Sequence, residues 1–305
     1  MNRALLFILA CSLSLQVSAA PPITAAAFTP DGQQVVIGSQ AGIEIRKWPD
    51  LNEAARIDTD LANIHDLTFS PDGEKLLIAG GSPAERGVVD IVTWPERKLV
   101  HRIDEHADVV YRVAWSPAGN ALATASGDST CQIYEAATGN RIARYEGHSR
   151  AVLVLAFLPD GNSIVSAGVD QALQLWDSNT GKQLRSLDNH LAAVNDLAVR
   201  PTSNRDAPPI VATCSDDRTL RFWQPTIGRL MRFARLPSPS RCLAWSSDGK
   251  QVLAGCDDGL VRCLDFETLE VMALDGNLGG RIHVLLRSQE KSLAAGENGK
   301  TLTLK

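Results

Sequence analysis

Three histidines, His106, His148 and His190, recur at intervals of 42 residues, and four aspartates, Asp128, Asp170, Asp217 and Asp258, follow behind them. Imidazole and carboxylate are the side chains that hold transition metals, and paired carboxylates perform general acid and base catalysis. Either chemistry requires the groups to converge on one centre, so their meaning depends on the elements that carry them. The other reactive side chains are quickly sorted. Six cysteines occur with no CxxC, no CxxCH and no paired Cys/His spacing, which removes the ligand sets of zinc sites, thioredoxin-like centres and c-type haem. GxSxG, HExxH, GxxxxGK[ST] and GxGxxG are all missing, so the commonest hydrolase, protease and nucleotide signatures are too. The sequence implies no cofactor.

The composition sets the frame for those groups. With 44% hydrophobic and 21% charged residues, the 305-residue chain can bury a sizeable core and is neither disordered nor fibrous. A formal net charge of −5, with Lys and Arg scattered, provides no basic stripe for a phosphate backbone, so nucleic acid is not the expected partner. At the amino end Arg3 precedes an apolar stretch from Ala4 to Leu15, and Val17-Ser18-Ala19 offers a small-residue cleavage site. This pattern predicts a signal peptide over residues 1–19, a mature chain from Ala20, and an exported protein, periplasmic or extracellular, with no integral membrane segment after processing. The competing reading takes Ser12 to Val17, with its alternating Leu13, Leu15 and Val17, as a β-strand of a cytoplasmic protein. After processing five cysteines remain, Cys131, Cys214, Cys242, Cys256 and Cys263, among apolar neighbours. They read as small buried hydrophobes, although free thiols run against an oxidising compartment.

A repeat carries the histidines and aspartates. An apolar run ends in an aromatic and a Pro-Asp-Gly-like turn at Phe28, Phe69, Trp115, Phe157 and Trp245, with weaker copies placed by spacing at Val199 and Leu286. The seven anchors are separated by 41, 46, 42, 42, 46 and 41 residues. A second marker keeps the same phase: Trp48, Trp94, Tyr134, Trp176 and Trp223, with Leu264 in the sixth copy. The extra length of repeats two and five falls in turn-rich stretches at Ser82–Gly87 and Pro201–Pro209. Repeat four resolves into strands at Val152–Phe157, Ser163–Ala167, Leu173–Trp176 and Gln183–Leu187. A small twisted four-stranded sheet cannot cover both of its faces alone, and radial repetition lets like sheets cover one another. The expectation is an all-β, seven-bladed β-propeller of antiparallel blades over residues 20–305, formed as one domain, with the last blade incomplete unless Ser12 to Val17 supply its fourth strand. In that architecture the three histidines lie in separate blades and do not converge on a metal.

Gly147-His148 opening a unit and Trp176-Asp177 closing its third strand make the chain resemble the WD-repeat (Trp-Asp repeat) propeller family from Ile23 to Lys305. Glu105-His106 with Tyr134-Glu135, and Asn189-His190 with Trp223-Gln224, are looser copies. The resemblance implies a structural hydrogen-bonded tetrad in each full unit: His148, Ser166, Asp170 and Trp176 in the fourth, and His190, Thr213, Asp217 and Trp223 in the fifth. The third unit keeps His106, Thr124 and Asp128 but has Tyr134, and the sixth keeps Asp258 with Ala254 and Leu264.

The resemblance further implies a rigid, non-catalytic platform that binds a protein or peptide on the face holding the tetrad turns. Four residues before the anchors stand Thr24, His65, Tyr111, Leu153, Asn195, Arg241 and Ile282, and Asp216 and Asp257 precede two of the tetrad aspartates. The candidate partner-binding face is therefore His65, Tyr111, Leu153, Asn195, Arg241, Asp216 and Asp257, in which Tyr and Arg are typical interface anchors. The alternative is an exported propeller enzyme, such as a lyase, lactonase or sugar dehydrogenase, with its site in the central channel.

Overall fold

The computed structural model describes residues 20–304 apart from 203, 205, 206, 289 and 290. The signal peptide read over residues 1–19 and the strand read at Ser12 to Val17 lie outside the described residues. The chain forms seven antiparallel sheets of consecutive strands, six with four strands and the seventh with three among the described residues. We number these blades 1 to 7. Their first strands are Ile23–Phe28, Ile64–Phe69, Val110–Trp115, Val152–Phe157, Val194–Val199, Ser240–Trp245 and Ile282–Arg287. Each first strand packs beside the next, and the first of blade 1 beside the first of blade 7, so the ring closes around a central channel.

The turn after the first strand explains why the repeats fold alike. In blade 4, Gly161 sits at φ +69°, a conformation glycine adopts freely, while the Asp160 carboxylate accepts the N–H groups of Asn162 and Ser163. The chain thereby reverses into the second strand with its backbone donors satisfied. Once paired, every sheet presents two apolar faces, and the core divides into seven wedges, one between each pair of neighbouring blades. Between blades 3 and 4, for example, Ile133 and Tyr145 meet Val152, Leu155, Phe157 and Trp176. Tyr145 lies parallel to the Trp176 indole with ring centroids 5.2 Å apart.

Among the described residues, an indole adds a hydrogen bond across two of these wedges. Trp115 donates its indole N–H to Thr68 O at 3.3 Å, and Trp245 donates to Ala198 O at 3.0 Å, each reaching back to the first strand of the preceding blade. These are the blades that follow the two long repeats. In repeat two the extra residues lengthen a hairpin, with strands Lys75–Ser82 and Arg86–Thr93, so half of the stretch read as turn, Ser82, Arg86 and Gly87, is sheet. In repeat five they fall between the first and second strands of blade 5, at the opposite end of the strands from the His and Asp turns.

The seventh repeat departs from its predicted phase by one residue. Every first strand has a bulge near its start, at Thr24, His65, Tyr111, Leu153, Asn195 and Arg241, and in blade 7 at His283. The structural anchor of blade 7 is therefore Arg287, and Leu286 lies one place ahead of it. Without an Asp-Gly turn the sequence there offers no marker of phase, and a slip of one residue exchanges the faces of a strand. Ile282, placed on the rim by spacing, is fully buried beside Leu253, Val261 and Leu285.

Candidate functional site

The tetrads lie at the blade ends where the fourth strand of one blade leads into the first strand of the next. In blade 4, His148 Nδ1–H donates to Asp170 Oδ2 at 2.8 Å, Ser166 Oγ donates to His148 Nε2 at 2.7 Å, and Trp176 Nε1–H donates to Ser166 Oγ at 3.1 Å. Asp170 Oδ2 also accepts Ser149 N–H, so the carboxylate fixes the loop carrying the histidine. Blade 5 repeats the chain of bonds through His190, Asp217, Thr213 and Trp223. In blade 3, His106 bonds Asp128 and Thr124, while the Tyr134 hydroxyl turns away to Gln132 Oε1 at 2.8 Å. Blade 6 replaces the histidine altogether. Arg262 of its third strand holds the Asp258 carboxylate through two bonds, at 2.9 and 2.6 Å, a substitution that the sequence reading did not find. The tetrad histidines are thus fixed in separate blades, each with its own aspartate.

The environment of these carboxylates gives a pH prediction. Burial pushes Asp217 up, but hydrogen bonds from Thr219, His190 and Leu191 N–H, with the nearby His190 charge, outweigh it and hold the group at about 2. Asp170 is also held below its ordinary value, burial being outweighed by its bonds to His148 and to backbone N–H groups. A carboxyl depressed in the folded state stabilises the fold above its unfolded pKa of about 4, and that stability disappears as pH falls through the folded value. The urea midpoint should therefore drop steeply between about pH 4 and pH 2, and Asp217→Asn should flatten that slope. An unchanged slope in the variant counts against this role.

Inside the tetrad ring lies the channel rim, built by the bulges. A bulge re-aims one side chain, and here it falls at the same position of every first strand. On one side His65 and Tyr111 meet edge to face with ring centroids 5.1 Å apart. Leu153 of blade 4 follows at the same position, half-buried. On the other side the charged residues join into one network. Arg241 donates from Nε and one terminal nitrogen to both Asp257 oxygens at 2.7 Å, and its other terminal nitrogen lies 2.7 Å from Asp216 and 3.3 Å from Asn195 Oδ1. Asn195 Nδ2 in turn donates to Asp216 and to Ser240 O. The hydrogen bond from Arg241 holds the Asp257 carboxyl below its ordinary value, although burial opposes it. Arg281, His283 and Glu297 extend the patch into blade 7. The structure thus brings Asn195, Arg241, Asp216 and Asp257 together and sets His65, Tyr111 and Leu153 on the remaining arc of the rim.

One residue deeper, the channel holds groups that the sequence reading missed. Asp66 and Asp196 are buried in the first strands of blades 2 and 5, and each carboxylate accepts its neighbour's N–H and one from the following blade, Val113 or Leu243. Arg112 of blade 3 reaches past blade 4 to Asp196 at 2.6 Å and stands 3.8 Å from Asp66. The signal was available, because at this place in the repeat the other blades carry Ala25, Val154, Cys242 and Val284. A charge at an otherwise apolar strand position marks an interior partner. The cysteines Cys131, Cys214, Cys242, Cys256 and Cys263 are buried and unbridged, and burial pushes each thiol up.

A hollow of about 790 Å³ lies on the other face, where Pro117, Leu158, Pro159, Thr202, Pro208 and Pro209 line it. Among the described residues no helix is long and apolar enough to cross a membrane. A family model described as WD domain, G-beta repeat matches residues 97–135, 139–177, 181–224 and 237–265. Each match begins in or near the fourth strand of one blade and runs through the third strand of the next, which places the matches on blades 3 to 6.

Proposed function

Because the chain belongs to the WD-repeat family of β-propellers, we propose that it is an exported, non-catalytic scaffold that binds a protein or peptide on its channel rim. The observation that carries this reading is the rim itself, where an Arg clamped by two carboxylates and a His–Tyr pair share one face of a rigid ring. Aromatic and Arg side chains held in place lose little freedom on binding and serve as interface anchors. A scaffold is favoured over a channel enzyme because these Arg and Asp groups of the channel are engaged with one another: Arg112 with Asp66 and Asp196, and Arg241 with Asp216 and Asp257. The partner is polar rather than an apolar helix, since charged and amide groups dominate the arc from Asn195 to Arg241. Export rests on the signal-like start, and amino-terminal sequencing of the protein from its native source should return Ala20 as the first residue. A start at Met1 sinks export.

The binding face is tested with partner captured from the envelope fraction. Tyr111→Ala, Arg241→Ala and Asp216→Lys, each with unchanged melting, should weaken binding at least about tenfold, equivalent to about 1.4 kcal/mol. If all three bind normally while replacement of the Thr202 to Pro208 stretch abolishes binding, the partner sits on the opposite face.

A further inference from the structure

The outer wall of the ring is not electrostatically uniform. In the fourth strands of blades 1 to 3 every arginine meets a carboxylate: Arg56 with Glu44 and Glu53, Arg102 with Asp60 and Asp90, Arg141 with Glu105, and Arg144 with Glu146. Blade 5 breaks the pattern. Its fourth strand, Arg229–Arg235, carries three arginines and no acidic residue. Arg229 donates to Gln224 Oε1 at 2.6 Å, and Arg232 donates to the main-chain oxygens of Phe266 and Glu267, with the Glu267 carboxylate 3.9 Å away. Arg235 meets no carboxylate within 4 Å among the described residues, nor does Arg218, whose carbonyl accepts Leu236 N–H beside it. In the adjoining strand of blade 4, Arg185 donates to Thr226 O, while Asp188 of that strand accepts Ser186 Oγ. Neutral oxygens satisfy these N–H groups but leave the charges uncancelled. An aromatic ring lies among them: Phe233 is 46% exposed, with the Arg221 guanidinium 5.7 Å from its centroid.

We propose that this strip is a second docking surface, apart from the channel rim, and that its occupant is an acidic, extended segment of a partner protein with an apolar side chain among its carboxylates. The assignment goes beyond the rim reading and does not depend on it. The sign of the partner follows from charge. The chain as a whole carries −5, so a sector where cations stand without anions is a local feature, and it attracts the opposite sign. The form of the partner follows from geometry. Arg229, Arg232 and Arg235 recur at every third residue, about 10 Å apart along an extended strand, a line that a segment lying beside the strand can follow. Arginine grips a carboxylate through two parallel bonds, and Arg218 and Arg235 have donors free for it among the described residues. This strand is also the outer edge of its sheet, so it offers main-chain groups that a peptide can pair with. Phe233 adds an apolar anchor in the middle of the row, which favours a protein segment over a phosphate polymer or a lipid surface.

The test measures binding of a fluorescent peptide, Asp-Glu-Asp-Phe-Asp-Glu-Asp, to the purified protein, with its amide counterpart Asn-Gln-Asn-Phe-Asn-Gln-Asn as control. Wild type should bind the acidic peptide saturably and the amide peptide not at all. Arg229→Gln with Arg235→Gln should weaken binding at least about fivefold with unchanged melting, since each exposed ion pair contributes up to about 1 kcal/mol. Arg97→Gln with Arg150→Gln removes the same charge from other exposed positions and should stay within about twofold of wild type. Equal weakening in both double variants means that net charge alone attracts the peptide and overturns the assignment. Binding that is lost in Tyr111→Ala and Arg241→Ala but kept in Arg229→Gln with Arg235→Gln puts the acidic segment on the rim, which overturns the strip and leaves the scaffold reading standing. Phosphatidylglycerol vesicles or an oligothymidylate strand that bind through Arg229 and Arg235 when the peptide does not would show a phosphate site, and the assignment to a protein segment is then wrong.

Discussion

Asp196→Ala should destabilise the propeller by about 3–5 kcal/mol, the usual cost of removing one member of a buried ion pair. The carboxylate holds Arg112 across the channel and accepts Leu197 N–H and Leu243 N–H, the latter joining blade 5 to blade 6. Alanine leaves those two donors buried without an acceptor, and each orphaned group costs about 1–3 kcal/mol. The Arg112 side chain is one-third open to the channel, so water screens part of its loss and the amide groups dominate the effect. Guanidinium unfolding of wild type, Asp196→Ala, Arg112→Met and the double variant measures this. The double variant should be more stable than the two single losses added together, because the cation and its carboxylate are removed as a pair. A cost below about 1 kcal/mol for Asp196→Ala would show that the tie across the channel is not structural.

His148→Ala should cost about 1–3 kcal/mol, since Asp170 and Ser166 both lose their shared partner in a buried site. Trp176 keeps its bond to Ser166, which limits the damage to the loop end of the tetrad. Lys182→Ala, in an exposed turn of the same blade, should fall within about 0.5 kcal/mol of wild type. Comparable melting losses for the two variants would mean that His148 is not a structural link. The blade 6 pair gives an internal comparison. Arg262 grips Asp258 without histidine, hydroxyl or indole, so the loop there is held by a charged pair, with bonds from Leu260 N–H and Asn277 Nδ2, and not by a four-member chain.

The amino-acid sequence by itself determined the architecture. Phe157 followed by Pro-Asp-Gly, and the in-phase Trp176, can recur at a period near 42 only if each copy builds the same sheet, and a sheet with two apolar faces must be covered by its neighbours. Six anchors fixed the phase because an aromatic stood there or the spacing was kept. The seventh failed because Leu286-Arg-Ser has no turn to pin the register, and only the pairing of Ile282 with Gly296 settled which face each residue takes. The rim residues His65, Tyr111, Asn195 and Arg241 were legible for a local reason, since a bulge sits at a constant distance from its anchor.

Tertiary structure decided what those residues meet. Arg241 joins Asp216 and Asp257 because the first strands of blades 5 and 6 run side by side and their turns share one end, a proximity of residues 16 and 25 positions away that no local pattern encodes. Arg112 and Asp196 are 84 residues apart, and only closure of the ring makes a blade 3 side chain the neighbour of blade 5. Local chemistry sets each strand and turn, whereas the pairing of charges follows from how seven equal wedges fill a circle, and that is a property of the assembled ring.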